Sequence, residues 1–435
     1  MWSVYLDTSP TRAAVTRALG TFSRRAYFGP LAPLRARNIG KVALPGRRWV
    51  RVRNIMAGIA DEEVERVYLS ADPRISLMAL PRPSRIYLGR EVVGEVIDIG
   101  SDVEFMRVGD RVVYQLDQCC ATRDIEPPCR HCAAGNFGLC ENRFLPGPEA
   151  IGGGWGDEMI VHERQLFLVP DALTDEEAAL LEPATLGVHA ALRHQPQPGD
   201  NVLVIGSHTL GLLTTQAVRA LAPNANITVR ANHPFQIEMA TKVGATRILY
   251  REDGTPGVAR ITGGRHFKRR FGADLLVGGF DVIYDTLGTA DSLQQALAWV
   301  RAGGTVVLVG QRMAPMRLDM TSIWHQEISL IGASAHGTES WPGGQSLATW
   351  GGGDGGRVST FALTAALIRE RRLTPQRLVT HRFPLREMRR ALAVAHDKAD
   401  FRAIKVLLDI RDVAGTQSPI ADLVPREATS LAHGL

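Results

Sequence analysis

The feature that most constrains the fold is a series of short apolar runs after about residue 170, separated by stretches with a helical pattern. The runs lie at 201–206, 227–229, 281–284, 305–309 and 328–331. Helical stretches such as Leu210–Leu221 and Ser292–Arg301 lie between them. Apolar strands that alternate with helices form parallel sheets covered on both faces, so this part of the chain is predicted to be α/β.

A glycine motif follows the first of these runs. Residues 202–211 read V-L-V-I-G-S-H-T-L-G, in which Gly206 and Gly211 stand at a strand end and a helix start. In a dinucleotide-binding fold the first glycine makes the tight turn, the second admits the pyrophosphate and the third packs helix on strand. His208 occupies the second place, where its side chain either crowds a pyrophosphate or donates to it. The motif predicts a dinucleotide site, and a degenerate domain that binds no nucleotide is the alternative.

The residues before this region have a different pattern. Runs at 49–53, 91–100 and 109–113 alternate or are rich in Val and Ile, with turn glycines between them, which predicts short strands. The first 28 residues hold four Arg and a single acid, Asp7. We expect an N-terminal arm or a short helix there, with an organelle transit peptide as the alternative.

Charge and hydropathy exclude several classes of protein. The 50 Lys and Arg and the 45 Asp and Glu give a net charge of +5, and the basic residues are scattered apart from Arg265–Arg270 and Arg369–Arg372. We therefore expect no nucleic-acid partner. The sequence has no run of about 18 apolar residues, so we expect no membrane-spanning helix and no membrane partner.

The five cysteines all lie within 22 residues of one another. They are Cys119, Cys120, Cys129, Cys132 and Cys140. A disulfide framework spreads its cysteines along the chain, whereas this cluster indicates a metal site in a reducing compartment. We therefore expect a cytoplasmic protein.

Several further segments accompany the glycine motif and the cysteines, in a fixed order. They are G-R-E-V-V-G at 89–94, G-D-R-V at 109–112, L-E-P-A-T-L-G-V-H-A at 181–190, D-T-L-G at 285–288, G-G-T-V-V-L-V-G at 303–310, T-H-R-F-P-L at 380–385 and A-I-K-V-L-L at 403–408. In this series the chain, from about residue 35 to 411, resembles the zinc-type medium-chain dehydrogenase/reductases. The pattern is most like the threonine and polyol dehydrogenase branch.

The resemblance implies a split architecture. Residues 35–185 and 336–412 are expected to form a GroES-like, β-rich catalytic domain with a structural zinc lobe at 119–140, and residues 186–335 a Rossmann domain with a doubly wound parallel sheet. An extension at 1–34 and a tail at 413–435 flank them. The resemblance also implies an NAD(P)-dependent oxidoreductase that acts on a small-molecule substrate and forms a homodimer or homotetramer. The insertions at 262–279 and 337–356 are expected on the surface, and the Gly-rich second one is alternatively a mobile loop over the site.

The resemblance also indicates how the cofactor is bound. The acid that normally binds the adenosine ribose is replaced by Ala231, which removes both an acceptor for the 2′-hydroxyl and a charge that repels a 2′-phosphate. Arg230, Asn232 and His233 are then candidates for that phosphate, so NADP(H) is predicted over NAD(H). Lys405 matches a position that reaches toward the pyrophosphate. The remaining cofactor positions that the resemblance implies are Thr185, Thr209, Leu210, Leu287 and Gly310.

The cysteine spacing resembles the structural zinc lobe of the family. Cys129, Cys132 and Cys140 match its last three ligands, and a six-residue insertion would make Cys120 the first. Cys119 is the competing first ligand and Glu126 the third choice, while free buried thiols are the alternative to a metal site. A zinc ion held by four thiolates stabilises a loop and takes no part in chemistry.

The positions of the catalytic zinc ligands are changed. In the family a Cys, a His and a later Glu or Cys bind this zinc. The Cys position is Ala60 and the His position is Arg90, so that only Glu182 remains. A guanidinium repels a zinc ion, and we predict no catalytic zinc. The alternative is an oxygen-rich metal site built from Glu62, Glu65, Glu91 and Glu182.

Two roles stay open for the residues that replace the metal. Family geometry brings Arg90 close to Glu182, where it either fills the vacancy or polarises a carbonyl and holds an anionic group. Glu62 or Glu65 is a candidate general acid/base, and His189 is expected to pack in the core. The sequence thus predicts an NADP(H)-dependent oxidoreductase without catalytic zinc, acting on an activated carbonyl or alcohol or a conjugated double bond. A zinc-dependent alcohol or polyol dehydrogenase with unusual ligands and a non-redox catalyst or binding protein are the alternatives.

Overall fold

The computed structural model describes residues 1–72, 84–115, 118–272, 274–341 and 356–411. The predicted tail at 413–435 and most of the insertion at 337–356 lie outside the described residues. The chain divides into two compact units. Among the described residues, the first holds those of Met1–Val112, Pro148–Glu163 and 381–411, and the second holds those of Val113–Gly147 and Arg164–Thr380.

Strands and helices are numbered along the chain. The strands are β1 (Trp2–Asp7), β2 (Leu34–Asn38), β3 (Trp49–Gly58), β4 (Arg85–Tyr87), β5 (Val92–Ile99), β6 (Arg111–Tyr114), β7 (Glu158–His162), β8 (Leu166–Leu168), β9 (Asn201–Ile205), β10 (Asn226–Arg230), β11 (Arg247–Leu249), β12 (Arg265–Phe267), β13 (Leu275–Val277), β14 (Phe280–Asp285), β15 (Val300–Leu308), β16 (Ser329–Gly332), β17 (Thr338–Ser340), β18 (Arg357–Ser359), β19 (Val379–Pro384) and β20 (Lys405–Asp409). The helices are α1 (Pro10–Gly20), α2 (Asp61–Val67), α3 (Arg130–Ala133), α4 (Asp175–Ala179), α5 (Leu181–Arg193), α6 (Thr209–Leu221), α7 (Pro234–Lys242), α8 (Gly254–Thr262), α9 (Ala290–Trp299), α10 (Thr321–His325), α11 (Thr360–Arg369), α12 (Met388–His396) and α13 (Lys398–Phe401).

Strand β3 organises the first unit. It pairs antiparallel with β5, β7 and β20, and most of its residues are buried. At its end the buried Trp155 donates its indole N–H to the Gly58 carbonyl at 3.0 Å. Helix α2 then begins, with three acids in its first turn, where the helix dipole favours negative charge. The end of β3 and the start of α2 therefore hold residues 58–63 in a fixed place.

The first 34 residues contain a strand that the sequence pattern did not predict. Strand β1 pairs with β2 on one side and with β4 on the other, and its residues Val4, Tyr5 and Leu6 are buried. Helix α1 lies between β1 and β2 in the sequence. Strand β4 leads directly to Gly89 and Arg90, so the N-terminal strand supports the segment that carries Arg90.

The second unit contains the predicted parallel sheet. Its strand order is β11-β10-β9-β14-β15-β16, and every neighbouring pair is parallel. The central strand β9 is buried along residues 202–205, as expected for a sheet covered on both faces. The prediction of an α/β fold with this sheet is confirmed. No helix in the described residues is long and apolar enough to cross a membrane.

Candidate functional site

Four of the five cysteines converge in the second unit, in a segment that we call the cysteine lobe (residues 118–147). The Sγ atoms of Cys120, Cys129, Cys132 and Cys140 all lie within 4.8 Å of one another. Three of these side chains are buried and Cys129 is half-buried. Cys120 is thus the one of the two neighbouring candidates that joins the group. Cys119 is buried beside it, and its backbone N–H donates to the Thr122 hydroxyl at 2.8 Å.

The surroundings of these sulfur atoms suit a bound cation. The Cys129 N–H donates to Cys120 Sγ at 3.3 Å, the Asn142 side-chain amide donates to the same sulfur at 3.2 Å, and the Asn142 N–H donates to Cys140 Sγ at 3.3 Å. Such donors orient and stabilise metal-bound thiolates. Burial raises the pKa of the Cys132 and Cys140 thiols, so a cation is needed to keep them ionised. The four residues fit a tetrahedral zinc site.

The glycine motif forms a close-packed turn between β9 and α6. Gly206 has φ +111°, a conformation that favours glycine. A Cβ on Gly206 would lie 2.5 Å from the Thr286 hydroxyl, and a Cβ on Gly211 would lie 2.0 Å from the Gly206 carbonyl oxygen. Both glycines are therefore required for this turn, which opens the helix N-terminus to a phosphate.

The other residues of the motif differ in exposure. His208 is the N-cap of α6 and is half-buried, Thr209 is buried and Leu210 is half-buried. Thr185, on α5, is fully buried, and its hydroxyl donates to the Leu181 carbonyl at 2.7 Å within its own helix. The structure thus gives the Thr185 hydroxyl an intrahelical acceptor.

No carboxylate stands at the end of β10, where Ala231 is buried and donates its N–H to the Leu249 carbonyl at 3.3 Å. Asn232 and His233 are exposed. Arg230 is half-buried, donates to the Gln295 side chain and lies with Cζ 5.5 Å from the centre of the Trp299 ring. The Arg230 guanidinium therefore already contacts Gln295 and Trp299, and its positive charge lies at the end of β10.

Two neighbouring loops approach each other through glycines. A Cβ on Gly310 would lie 2.3 Å from the Gly288 backbone nitrogen, and one on Gly288 would lie 2.6 Å from the Gly310 carbonyl oxygen. The buried Asp285 fixes the loop after β14, because its carboxylate accepts from the N–H of Leu287 at 3.0 Å and of Gly288 at 3.2 Å. Burial raises the pKa of Asp285. Together with Gly206 and Gly211, these loops form a cradle of backbone that suits a dinucleotide.

In the first unit, residues 58–63 and 89–91 are here called the charged loops, and the family resemblance predicts that positions 60 and 90 correspond to two catalytic zinc ligands. Arg90 Nη1 lies 3.0 Å from Glu62 Oε2, and Arg66 pairs with the other oxygen of the same carboxylate. The sequence did not reveal Glu62 as a partner of Arg90, and the proximity of Arg90 to Glu182 that family geometry implies stays a prediction. Glu182 lies in the second unit, buried in the first turn of α5.

Glu63 was not predicted as a site residue, yet it ties the charged loops together. Its carboxylate accepts from the N–H of Gly89 at 2.5 Å, of Arg90 at 3.2 Å and of Ala60 at 3.2 Å. The pKa of Glu63 is raised to about 7, mainly by burial and also by the Glu91 carboxylate, against the opposing effect of the N–H donors of Gly89 and Ala60. The signal available in the sequence was its place three residues after Ala60 at a helix start.

Glu91 and Lys405 form a buried ion pair in the same unit. The Lys405 ammonium also donates to the Ile59 carbonyl at 3.0 Å. A Cβ on Gly58 would overlap the Glu91 carboxylate, so this pair needs glycine at position 58. Both of these contacts lie inside the first unit, and the reach of Lys405 toward the pyrophosphate stays a prediction.

Two further candidates lie on helices α2 and α5. Glu65 is half-buried on α2. His189, expected to pack in the core, lies on α5 with Nδ1 2.6 Å from Glu339 Oε1, and the Thr360 hydroxyl donates to the same carboxylate oxygen at 2.8 Å. Its polar partner, 150 residues along the chain, was not readable from local sequence.

A β-rich unit with charged loops, a parallel-sheet unit with a glycine cradle and a four-cysteine lobe define a two-domain, dinucleotide-binding class of dehydrogenase. Two family models match the chain, "Alcohol dehydrogenase GroES-like domain" over residues 46–171 and "Zinc-binding dehydrogenase" over residues 209–350. The chain belongs to the zinc-type, alcohol dehydrogenase-like medium-chain dehydrogenase/reductases, a family of NAD(P)-dependent oxidoreductases.

Named relatives agree with this family. The chain is 34% identical over 251 residues to the sorbitol dehydrogenase of Bacillus subtilis, a match that covers 56% of this chain and 65% of that protein. It is 26% identical over 365 residues to the L-idonate 5-dehydrogenase of Vitis vinifera, covering 83% and 88%. The crystal structure of galactitol-1-phosphate dehydrogenase from Escherichia coli matches with a TM-score of 0.69 at 22% identity, covering 94% of this chain and 100% of that one. The match to the galactitol-1-phosphate dehydrogenase structure shows that the two proteins share a fold.

Proposed function

We propose that the protein is an NADP(H)-dependent oxidoreductase of the medium-chain type that works without a catalytic zinc. Its substrate is a specialised small molecule with an activated carbonyl or alcohol or a conjugated double bond. The observation that carries the proposal is the Arg90–Glu62 ion pair, with Nη1 3.0 Å from Oε2, beside Ala60 in the charged loops. Two of the side chains that would bind zinc are thereby replaced by a methyl group and a fixed cation.

The charges of this region support the absence of a catalytic metal. A zinc ion beside Arg90 would meet a positive charge that cannot be removed by deprotonation. Two of the four carboxylates that an oxygen-rich site would use are already held by cations, Glu62 by Arg66 and Arg90 and Glu91 by Lys405. Rebuilding a metal site here would require breaking these ion pairs.

Different residues of the chain are then proposed to bind the cofactor, polarise the substrate and transfer a proton. The nicotinamide cofactor supplies the hydride donor or acceptor when it is bound. The backbone around Gly206, Gly211 and Gly310 would hold it, because these positions leave no room for a side chain. Arg90 polarises a substrate oxygen or binds an anionic group, Glu62 positions the Arg90 guanidinium, and Glu65 is the candidate for proton transfer. Without a Lewis acid nothing lowers the pKa of a plain alcohol, which favours activated substrates.

The preference for NADP(H) rests on the end of β10. Ala231 removes the carboxylate that would repel a 2′-phosphate, and Arg230, Asn232 and His233 supply a cation and hydrogen-bond donors. Titration of nicotinamide fluorescence with NADPH and NADH tests this directly. We expect NADPH to bind at least tenfold more tightly, and Ala231→Asp to reverse the preference. Tenfold tighter binding of NADH to the unchanged protein would contradict the proposal.

Metal analysis of the purified protein tests the zinc assignment. We expect about one zinc per chain, held by the four cysteines, since a closed tetrahedral site needs four protein ligands. About two zinc ions per chain would instead support a zinc-dependent alcohol or polyol dehydrogenase with unusual ligands. Absence of cofactor binding would support a non-redox protein on the same fold. We further propose the predicted domain limits, a homodimer or homotetramer and a cytoplasmic location.

A further inference from the structure

The insertion at 262–279 forms a β-hairpin on the second unit. Strands β12 and β13 are antiparallel, with His266 opposite Leu276 and Phe267 opposite Leu275. Leu276 is buried in the hydrophobic core of the parallel-sheet unit. Because side chains alternate between the faces of a strand, the face that carries Arg265, Phe267 and Val277 points away from that core.

This outer face combines apolar side chains with positive charge. Phe267 is 47% exposed, Val277 is 42% exposed, and Phe271 at the turn is 81% exposed. Single exposed apolar residues are ordinary on a protein surface, but three on one six-residue hairpin and its turn form a patch. The patch faces solvent rather than a neighbouring part of the described chain.

Cations surround these apolar side chains. They are Arg265, Lys268, Arg269 and Arg270, all exposed. In the described part of the chain, no carboxylate forms a salt bridge with any of the four. Two acids act nearby: Asp274 pairs with His266 at 2.6 Å, and Asp319 has its pKa lowered by hydrogen bonds from Thr321 and, more weakly, by Arg269. Asp274 also interacts electrostatically with Lys268, so that two acids oppose four cations and the hairpin keeps a net positive charge.

We propose that this hairpin docks the protein onto an anionic lipid surface. Each Lys or Arg near an anionic bilayer strengthens binding by about fivefold, and aromatic side chains settle at the level of the lipid headgroups. A protruding turn with exposed Phe267 and Phe271 inserts readily into a bilayer, whereas single-stranded nucleic acid is bound in grooves lined with aromatic rings. This peripheral contact needs no spanning helix, and it revises the expectation of no membrane partner.

Vesicle sedimentation of the full chain tests the proposal. The vesicles are phosphatidylcholine alone or an equimolar mixture with phosphatidylglycerol, at about 0.1 M salt, where charges act over about 10 Å. We expect binding to the mixed vesicles only. The variant Lys268→Ala/Arg269→Ala/Arg270→Ala is expected to bind about 100-fold more weakly. Phe267→Ser/Phe271→Ser is expected to bind about tenfold more weakly, because less apolar surface is buried.

Two matched controls separate the hairpin from bulk properties. Arg17→Ala/Arg47→Ala/Arg390→Ala removes the same charge from scattered exposed sites, and Phe22→Ser/Phe144→Ser removes two other exposed rings. Both are expected to bind as the unchanged protein does, and thermal melts confirm that every variant is folded. Failure of the unchanged protein to bind mixed vesicles overturns the proposal. An equal loss of vesicle binding in the Arg17→Ala/Arg47→Ala/Arg390→Ala control also overturns it. So does a hairpin that binds a single-stranded oligonucleotide but no vesicles.

Discussion

The cysteine lobe and the charged loops match, by the family resemblance, the two zinc-binding regions of the family, and their side chains differ in kind in this chain. The lobe keeps four sulfur atoms within 4.8 Å of one another, with N–H donors aimed at them. The charged loops have neither the Cys nor the His of the family pattern. They are joined by the Arg90–Glu62 pair, the Glu91–Lys405 pair and the three N–H bonds to Glu63.

The difference separates two uses of a metal. A metal that only joins chain segments can be replaced by other contacts that join them, and under the proposed function ion pairs and backbone hydrogen bonds do so in the charged loops. A metal that activates an oxygen has no such substitute, because no side chain lowers the pKa of water or alcohol as zinc does. The charged loops therefore retain a shape while the proposed chemistry changes. Four variants test this comparison.

The largest effect is expected in the cysteine lobe. Cys132→Ser removes one thiolate from the four, and we expect the zinc content to fall to near zero and the free energy of unfolding to drop on the order of 4 kcal/mol or more. Elemental analysis and thermal melting measure both changes. Cys119→Ser is the matched control and is expected to keep its zinc. A Cys132 variant that retains both zinc and melting temperature would show that the four sulfur atoms form no site.

The next effect concerns the ion pair that supports the charged loops. Lys405→Met leaves the buried Glu91 carboxylate without its cation, which costs about 3–5 kcal/mol of unfolding free energy. Glu91→Gln/Lys405→Met removes both charges and is expected to recover most of that loss in urea unfolding. A chelator should leave the stability difference between the two variants unchanged, because it acts on the cysteine lobe in both. If the double variant is no more stable than the single one, the pair does not hold the loops together.

The third variant tests whether Arg90 has a functional role or only occupies the position of a metal ligand. Arg90→Ala is expected to lower kcat/KM about 100-fold on the best substrate of a carbonyl panel, because under the proposed function it removes the charged donor to the reacting oxygen. Arg66→Ala is the control, since Arg66 pairs with the other oxygen of Glu62. It should change the melting temperature about as much and kcat/KM much less. Unchanged turnover and substrate affinity in Arg90→Ala would reduce Arg90 to a structural replacement for the metal.

The sequence predicted backbone features better than side-chain partners. The parallel sheet followed from apolar runs with helices between them, and the turn at Gly206 and Gly211 from glycine spacing, because local chain geometry fixes both. The partners of Arg90, Lys405 and His189 depend on which side chain comes closest after the chain has packed. Strand β1 was also missed, because its pairing with β4 joins segments about 80 residues apart.

The smallest effect is a pH dependence that arises in the charged loops. The pKa of Glu63 is raised by burial to about 7, above its value in the unfolded chain, so the folded state binds the extra proton between those pKa values. Stability from this group is full below the unfolded pKa and is lost as pH rises through the folded pKa. Relative to Glu63→Gln, the unchanged protein should therefore lose about 2 kcal/mol of unfolding free energy between about pH 5.5 and 7.

Glu177→Gln is a suitable control, because Glu177 is also buried but pairs with Arg371. If the difference in unfolding free energy between the unchanged protein and Glu63→Gln does not vary with pH, the three N–H donors keep Glu63 ionised. The charged loops then carry one more fixed negative charge.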